Sequence, residues 1–442
     1  MERFDSRQLK SKGQSIIREG FTLMSGNIVA QAIAFASYFI VTRLFSPEDI
    51  GFYNIFFSYI EVLIIFSTGK YEMATVLADS DREAMAVARF ALRANTFFSL
   101  FLLAIFSLSW TSGCQPSVFN HQFIMLIPPM VFFCGTSRVY SFLFNRKRHF
   151  LPISLSEVLG SGVVSLLKVA FGFLSRMAPL FCTLGLPLAT VLGRMASNLS
   201  YLVRLRGLDY PKDITKIERR QAARKFRNFP LYTMPKEFVS SLSSNLPFIW
   251  LALYFDKAEV GLFALALTFV FRPVNILNGV FEKLLNVRIA EMVRQRQSIS
   301  GYLCRFFLIV NLVALPVAVV AFFFGGDIFV FFFGDRWEGC IHYIRCLLPW
   351  TFVALTSTSL TFLFGVFGRQ RTEFVFFLVL LFLRAASMVA GIVCHDFRLG
   401  ILLFALSGVA VYSALIVCYL LMVRRYESTL PPSSAGVCSL DL

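Results

Sequence analysis

The stretch Thr42–Glu72, TRLFSPEDIGFYNIFFSYIEVLIIFSTGKYE, decides the architecture, because it returns 210 positions later as residues 252–282, ALYFDKAEVGLFALALTFVFRPVNILNGVFE. Phe45, Gly51, Gly69 and Glu72 fall on Phe255, Gly261, Gly279 and Glu282. Asp49, Ile50, Tyr53, Ser58 and Tyr71 fall on Glu259, Val260, Phe263, Thr268 and Phe281, with no insertion. In each copy an apolar helix ends in a short acidic turn, a Gly and an aromatic restart the chain, and a second apolar helix delivers an aromatic–Glu pair. Internal repeats of this kind build many transporters, with the pathway between the halves.

Composition agrees with a membrane chain. Of 442 residues, 57% are hydrophobic and 15% charged, mean hydropathy is +0.69, and Phe alone supplies 52 residues. Soluble domains carry roughly 25% charged residues, so the fold class is an all-α polytopic membrane protein, its aromatics facing lipid. Nine cysteines, several of them inside apolar runs (Cys134, Cys182, Cys304, Cys418) and none in C-x-x-C spacing, give no disulfide framework or metal site. No cofactor is expected. The apolar run Phe21–Val41 has no small-residue cleavage site and is expected to stay in the mature protein.

Twelve segments have the ~20 apolar residues that a spanning helix needs. They run over 21–42, 50–69, 94–112, 121–144, 153–174 and 178–202 in the first half, and 237–255, 260–280, 302–324, 340–367, 373–394 and 399–423 in the second. Of the 42 Lys and Arg, 31 fall in loops on the N-terminal side and 5 on the other, which places both termini in the cytoplasm. The net charge of +16 therefore reports orientation, and nucleic acid is not an expected partner. The expected domains are a six-helix bundle over 1–203, a basic cytoplasmic linker over 204–236, a second six-helix bundle over 237–425 and a disordered tail over 426–442. The linker, with ten basic residues beside Ile214, Ile217, Phe226 and Phe229, reads either as an interfacial helix on an anionic leaflet or as a solvated tether.

Enzyme signatures are missing. There is no G-x-x-x-x-G-K and no H-E-x-x-H, and the four histidines (His121, His149, His342, His395) are scattered. Ser165–Lys168 spells S-x-x-K, but inside a transmembrane helix and without its companion motifs. The informative residues are ionisable ones within the spans, each Arg or Lys costing about 2.5–3.5 kcal/mol at mid-helix unless it faces a wet or paired interior. Arg272, Arg384, Lys168 and Glu61 are deep and read as cavity lining; Arg138 and Arg194, further candidates for substrate binding in the cavity, are also close enough to the cytoplasmic face to snorkel, and Arg345 to the outer one. Glu157 and Lys168, 11 residues apart, share one side of the fifth helix without reaching each other. Arg272 precedes Pro273, a kink position, and Asn275 and Asn278 continue its polar stripe; its repeat equivalent is Val62, beside Glu61. Asn27 and Gln31, one turn apart, read either as lining of the same cavity or as an interhelical hydrogen-bonding pair. Glu61 and Glu157 are the candidates for ion coupling. Net cationic character in a membrane cavity suits an anionic head group, and the planar donor fork of Arg fits phosphate oxygens.

The residues Thr42-Arg43-Leu44-Phe45-Ser46-Pro47-Glu48-Asp49-Ile50-Gly51-Phe52-Tyr53 and Lys70-Tyr71-Glu72-Met73-Ala74 resemble two motifs of the O-antigen (Wzx-type) polysaccharide flippases. Those proteins belong to the multidrug/oligosaccharidyl-lipid/polysaccharide exporter superfamily. The match covers about the first 90 residues, with Ile50 where an aromatic is common. The resemblance implies two six-helix bundles around a cavity, alternating access, and translocation of undecaprenyl-diphosphate-linked oligosaccharide to the periplasmic leaflet of the inner membrane. It also implies partners: the lipid-linked oligosaccharide, membrane lipids and other membrane proteins of polysaccharide assembly. The rival expectations are a drug or cation exporter of the same superfamily, which acidic cavity residues would favour, and a membrane-embedded polymerase, which needs a sizeable outward loop.

Overall fold

The structure, a computed structural model, describes residues 26–111, 121–178, 180–207, 209–211 and 213–430. Twelve main helices follow one another among them: α1 (Gly26–Leu44), α2 (Pro47–Ser67), α3 (Asp81–Thr111), α4 (Ile127–Arg146), α5 (Phe150–Leu174), α6 (Leu180–Leu205), α7 (Met234–Leu246), α8 (Lys257–Arg294), α9 (Ser300–Phe333), α10 (Cys340–Thr358), α11 (Gln370–Val393) and α12 (Phe397–Glu427). Each expected segment is helical, but ten rather than twelve are long and apolar enough to cross a membrane. The two below that threshold have visible reasons. α4 opens on Pro128 and Pro129 and carries Arg138 and Arg146, and α7 is only 13 residues before a π-helical turn over Pro247–Leu251.

Several expected boundaries move. α3 starts at Asp81 rather than 94, because the Ala-rich run Ala84, Ala86, Ala88 and Ala91 continues the helix with little hydropathy. α8 runs to Arg294 and α9 to Phe333, well past their apolar cores. α12 runs to Glu427, so the expected tail begins with two helical residues; residues 431–442 lie outside those described, as do the first five of the expected first span.

The repeat is legible in the caps. Ser46 ends the α1–α2 turn with a capping box, its hydroxyl accepting from the Asp49 amide while the Asp49 carboxylate accepts from the Ser46 amide at 2.9 Å. At the equivalent place Asp256 caps α8, accepting from the Ala258 amide at 3.1 Å, and α8 starts at Lys257, the counterpart of Pro47. The copies then part. α2 stops at Ser67, Gly69 and Lys70 turn the chain at φ +60° and +62°, and a short helix Tyr71–Leu77 follows. α8 passes straight through Gly279. The sequence explains this, since Thr68 and Lys70 are replaced by Asn278 and Val280, and Thr68 donates at 2.5 Å to Glu72, which is buried, whereas Glu282 is exposed.

The chain divides into two compact units, with the boundary between Ser241 and Leu242, inside α7. In the first unit, Ala88, Ala91, Val139, Leu143, Phe144 and Tyr201 form the core between α3, α4 and α6. α5 and α6 approach closely at Gly160 and Gly193, where a methyl group on Gly193 would stand 2.9 Å from the Gly160 carbonyl oxygen. The second unit has the same device between α11 and α12, where a methyl group on Gly391 would meet the Gly400 Cα at 2.7 Å. Its core gathers Leu303, Leu363, Phe364, Leu380, Leu415 and Tyr419. α9 lies at its margin with Phe323, Phe324 and Phe331 exposed, as the Phe-rich composition leads one to expect of a lipid-facing surface.

The basic segment after α6 is docked on the first unit. Its helix, Lys216–Lys225, starts with a Thr215–Glu218 capping box and buries Ala222 against Ala74, Ala86 and Val87. Arg82 holds Glu218 at 2.5 Å, and Lys225 bridges Asp79 at 2.7 Å and Glu83 at 2.6 Å. The Arg82 and Thr215 donors pull the Glu218 carboxyl from its ordinary 4.5 down to about 2. Lys225 likewise lowers Asp79 and is itself raised by Asp79 and Glu83.

Candidate functional site

In the second unit, the apolar helix α11 places Arg384 among Ser387, Met388 and Leu380 on its buried face, and the side chain is 1% exposed. Its Nη1 donates to the Ser243 carbonyl at 3.3 Å and to the Ser243 hydroxyl at 3.2 Å, from the last turns of α7. The guanidinium carbon lies 4.3 Å from the ring centre of Phe404 and 4.7 Å from that of Trp350. Trp350 is fixed in turn by Phe271 at 4.3 Å and Phe404 at 5.5 Å, and by Gly408, where any side chain would strike the indole. The remaining Arg384 donors, Nε and Nη2, find no acceptor among the described residues, and neither does Trp350 Nε1. Two rings contribute roughly 2 kcal/mol or more each when desolvated; each unmet donor costs about 1–3 kcal/mol. The result is a preorganised guanidinium with its fork still able to grip an oxyanion.

The first unit treats its intramembrane charges differently. Arg194 Nη1 pairs with Glu157 Oε2 at 3.2 Å between α6 and α5. Arg138 on α4 and Glu61 on α2 lie close enough for their charges, with those of Arg194 and Glu157, to act on Cys134. The four are two cations and two carboxylates. Lys168 is buried, with Nζ 4.1 Å from the ring centre of Tyr53 and 5.7 Å from that of Tyr38. Glu157 and Lys168, on one helix, thus each find partners on other helices, Glu157 on α6 and Lys168 on α1 and α2.

The other sequence candidates fall outside both arrangements. Arg272 is half-buried one residue from Phe271, which packs on the Trp350 ring that Arg384 also meets. Asn278 accepts from the Ser359 hydroxyl at 2.8 Å, whereas Asn275 is exposed. Gln31 donates to Asn27 at 3.5 Å on α1. Arg345 is exposed. Sequence reasoning missed Trp350, Phe404 and Ser243, and also Tyr38 and Tyr53. Among so many aromatics nothing local marks the few that meet a cation from another helix.

An apolar cavity of about 600 Å³ lies elsewhere in the second unit, between α8, α9 and α10, lined by residues such as Val274, Leu277, Phe306, Val310 and Phe352. The α8 residues that line this cavity and the polar Arg272 and Asn275 lie on different sides of the helix, with Asn278 at the border between them.

Among solved structures, the chain is similar to an inward-facing multidrug resistance MATE-family transporter of the MOP superfamily, at TM-score 0.70 and 16% identity over 90% of this chain and 96% of that one. It is similar to the lipid II flippase MurJ in an inward closed conformation at TM-score 0.70 and 12% identity, over 92% and 90%. A MOP-superfamily transporter from Pyrococcus furiosus, described as having a binding pocket of reversed polarity, matches at 0.61 and 14%, over 94% and 96%. None of the curated proteins searched matches the sequence. The family model described as "Polysaccharide biosynthesis protein" matches residues 40–342. The chain therefore belongs to the polysaccharide biosynthesis protein family, built on the fold of the MOP-superfamily transporters.

Proposed function

We propose that the protein is a flippase that carries an undecaprenyl-diphosphate-linked oligosaccharide, an O-antigen or related surface-polysaccharide unit, from the cytoplasmic to the periplasmic leaflet of the inner membrane by alternating access. The observation that carries this reading is Arg384: a guanidinium 1% exposed inside a membrane unit, with two donors unmet among the described residues. A phosphate oxyanion supplies the acceptors, and the charge-assisted bonds it makes are strongest where water does not compete. Ser243, from α7, holds the Nη1 position that a head group takes over when α7 moves away from α11.

The four-charge cluster of the first unit fits coupling rather than head-group binding. Glu157 is paired with Arg194, so a proton or cation arriving at Glu157 releases Arg194 and shifts how α5 and α6 pack, with Glu61 on α2 the second coupling candidate. A multidrug transporter shares the fold, and the fold alone does not separate that activity from this one. The distinction rests on charge: a cationic drug needs an unpaired carboxylate, whereas Glu157 is paired and Arg384 is a cation. The sidedness follows from the Lys and Arg distribution.

The test is flipping of lipid-linked oligosaccharide in proteoliposomes carrying wild type, Arg384→Lys and Arg384→Ala at matched levels. The reading expects partial flipping with Lys and none with Ala. Wild-type rates for Arg384→Ala would overturn it.

A further inference from the structure

On α3 a single stripe runs Arg89, Arg93, Phe97, Leu100, Phe101 and Leu108, at the i, i+4 and i+7 spacing of one helix face. The upper part of that stripe faces outward, Phe97 being 74% exposed, while Ala88, Ala91 and Asn95 are buried on the other face. Four residues separate Arg93 from Phe97, which is about 6 Å of helix rise. The stripe therefore passes from apolar to cationic within one turn, at the end of the unit that the Lys and Arg distribution assigns to the cytoplasm. The docked helix Lys216–Lys225 brings Arg219 to the same place, where burial and the charges of Arg93 and Arg89 lower its guanidinium below its ordinary value.

Four carboxylates at this end are engaged by other cations: Glu218 by Arg82, Asp79 and Glu83 by Lys225, and Asp81 by Arg146 at 3.0 Å and Lys147 at 2.5 Å. Neither Arg93 nor Arg219 has an acidic partner among the described residues. Arg93 and Arg219 are thus gathered with Arg89 directly beneath an exposed apolar stripe. We propose that Arg89, Arg93 and Arg219 form a binding site for the phosphate head group of an anionic phospholipid in the cytoplasmic leaflet. The lipid's chains lie along Phe97, Leu100 and Phe101, and its phosphate clamps the docked helix to α3. The site is separate from the head-group site assigned above and does not depend on it.

Retention of phosphatidylglycerol against phosphatidylcholine on the purified full-length protein, read by native mass spectrometry, tests this. Each arginine near a charged surface contributes about a fivefold change in affinity, so Arg219→Gln alone, a change outside the bundle, should weaken retention by about that factor. The triple variant Arg89→Gln/Arg93→Gln/Arg219→Gln should lose about 100-fold. A control with the same charge change at exposed positions on and just after the docked helix, Arg220→Gln/Arg224→Gln/Arg227→Gln, should retain the lipid as wild type does. Wild-type retention in the triple variant, or equal loss in the control, overturns the site. Displacement of phosphatidylglycerol from wild type by undecaprenyl diphosphate, together with loss of undecaprenyl diphosphate binding in the triple variant, would assign the cluster to the transport substrate and overturn the phospholipid assignment.

Discussion

Each half of the chain carries one buried cation on the fifth of its six helices, Lys168 on α5 and Arg384 on α11, and both lie against aromatic rings. They are not equivalent. Lys168 sits 18 residues into α5, about 27 Å along the axis, and Arg384 14 residues into α11, about 21 Å along. A compact ammonium needs few directions satisfied and takes two tyrosine rings; a guanidinium has five donors in a fixed plane, and Arg384 leaves two nitrogens unmet among the described residues. The comparison teaches that a cation buried in a membrane unit is informative through what its donors lack. Burial alone describes both residues and separates neither.

The largest expected effect follows from that contrast. Losing about two charge-assisted bonds, at roughly 1.5–3 kcal/mol each, should lower flipping by about 100-fold or more in Arg384→Ala. Lys168→Met should change it by less than about tenfold and leave thermal stability little altered, since the lost ring attraction is offset by no longer burying a charge. Similar losses from both variants in one flipping assay would erase the distinction.

A second contrast, between Gly69 and Gly279, predicts opposite signs. Gly69→Ala forces φ +60° on a residue with a Cβ and should destabilise by about 1–2 kcal/mol. Gly279→Ala lies inside α8 with nothing within 4 Å of the new methyl and should stabilise by about 0.5–1 kcal/mol. Thermal unfolding of the two purified variants checks the pair, and equal signs would mean that the halves do not diverge at this point.

The smallest effect concerns the docked helix Lys216–Lys225. The Glu218 carboxyl is depressed when docked, so its contribution is complete above the ordinary value of 4.5 and is lost as pH falls from there towards about 2. Protease cleavage between residues 204 and 236 should be unchanged from pH 7 to pH 5 and rise only below that window. Because Arg82 and Lys225 are exposed, salt should loosen the helix modestly at any pH.

Much of this was legible in the residues. The repeat, its cap positions and all twelve helical segments follow from periodicity and from Ser-Pro-Glu-Asp, because these are local properties. The length of α8 was hidden, since hydropathy marks where apolar residues stop and helix propensity carries on through Glu282, Arg288 and Glu291. Arg384 and Lys168 stood out by their cost inside apolar runs. Their ring partners did not, because Trp350 and Phe404, or Tyr38 and Tyr53, come from other helices and look like any aromatic in a lipid-facing chain. The pairing of Glu157 with Arg194 was likewise a tertiary fact, 37 residues apart in sequence.

The central claim is that Arg384 meets the diphosphate of the substrate. The most direct measurement is the shift in melting temperature that undecaprenyl diphosphate and undecaprenol produce on purified wild type and on Arg384→Gln. The account predicts that the diphosphate stabilises wild type and loses most of that shift in Arg384→Gln, while the neutral alcohol gives the same small shift in both. An equal diphosphate shift in the two proteins would contradict it.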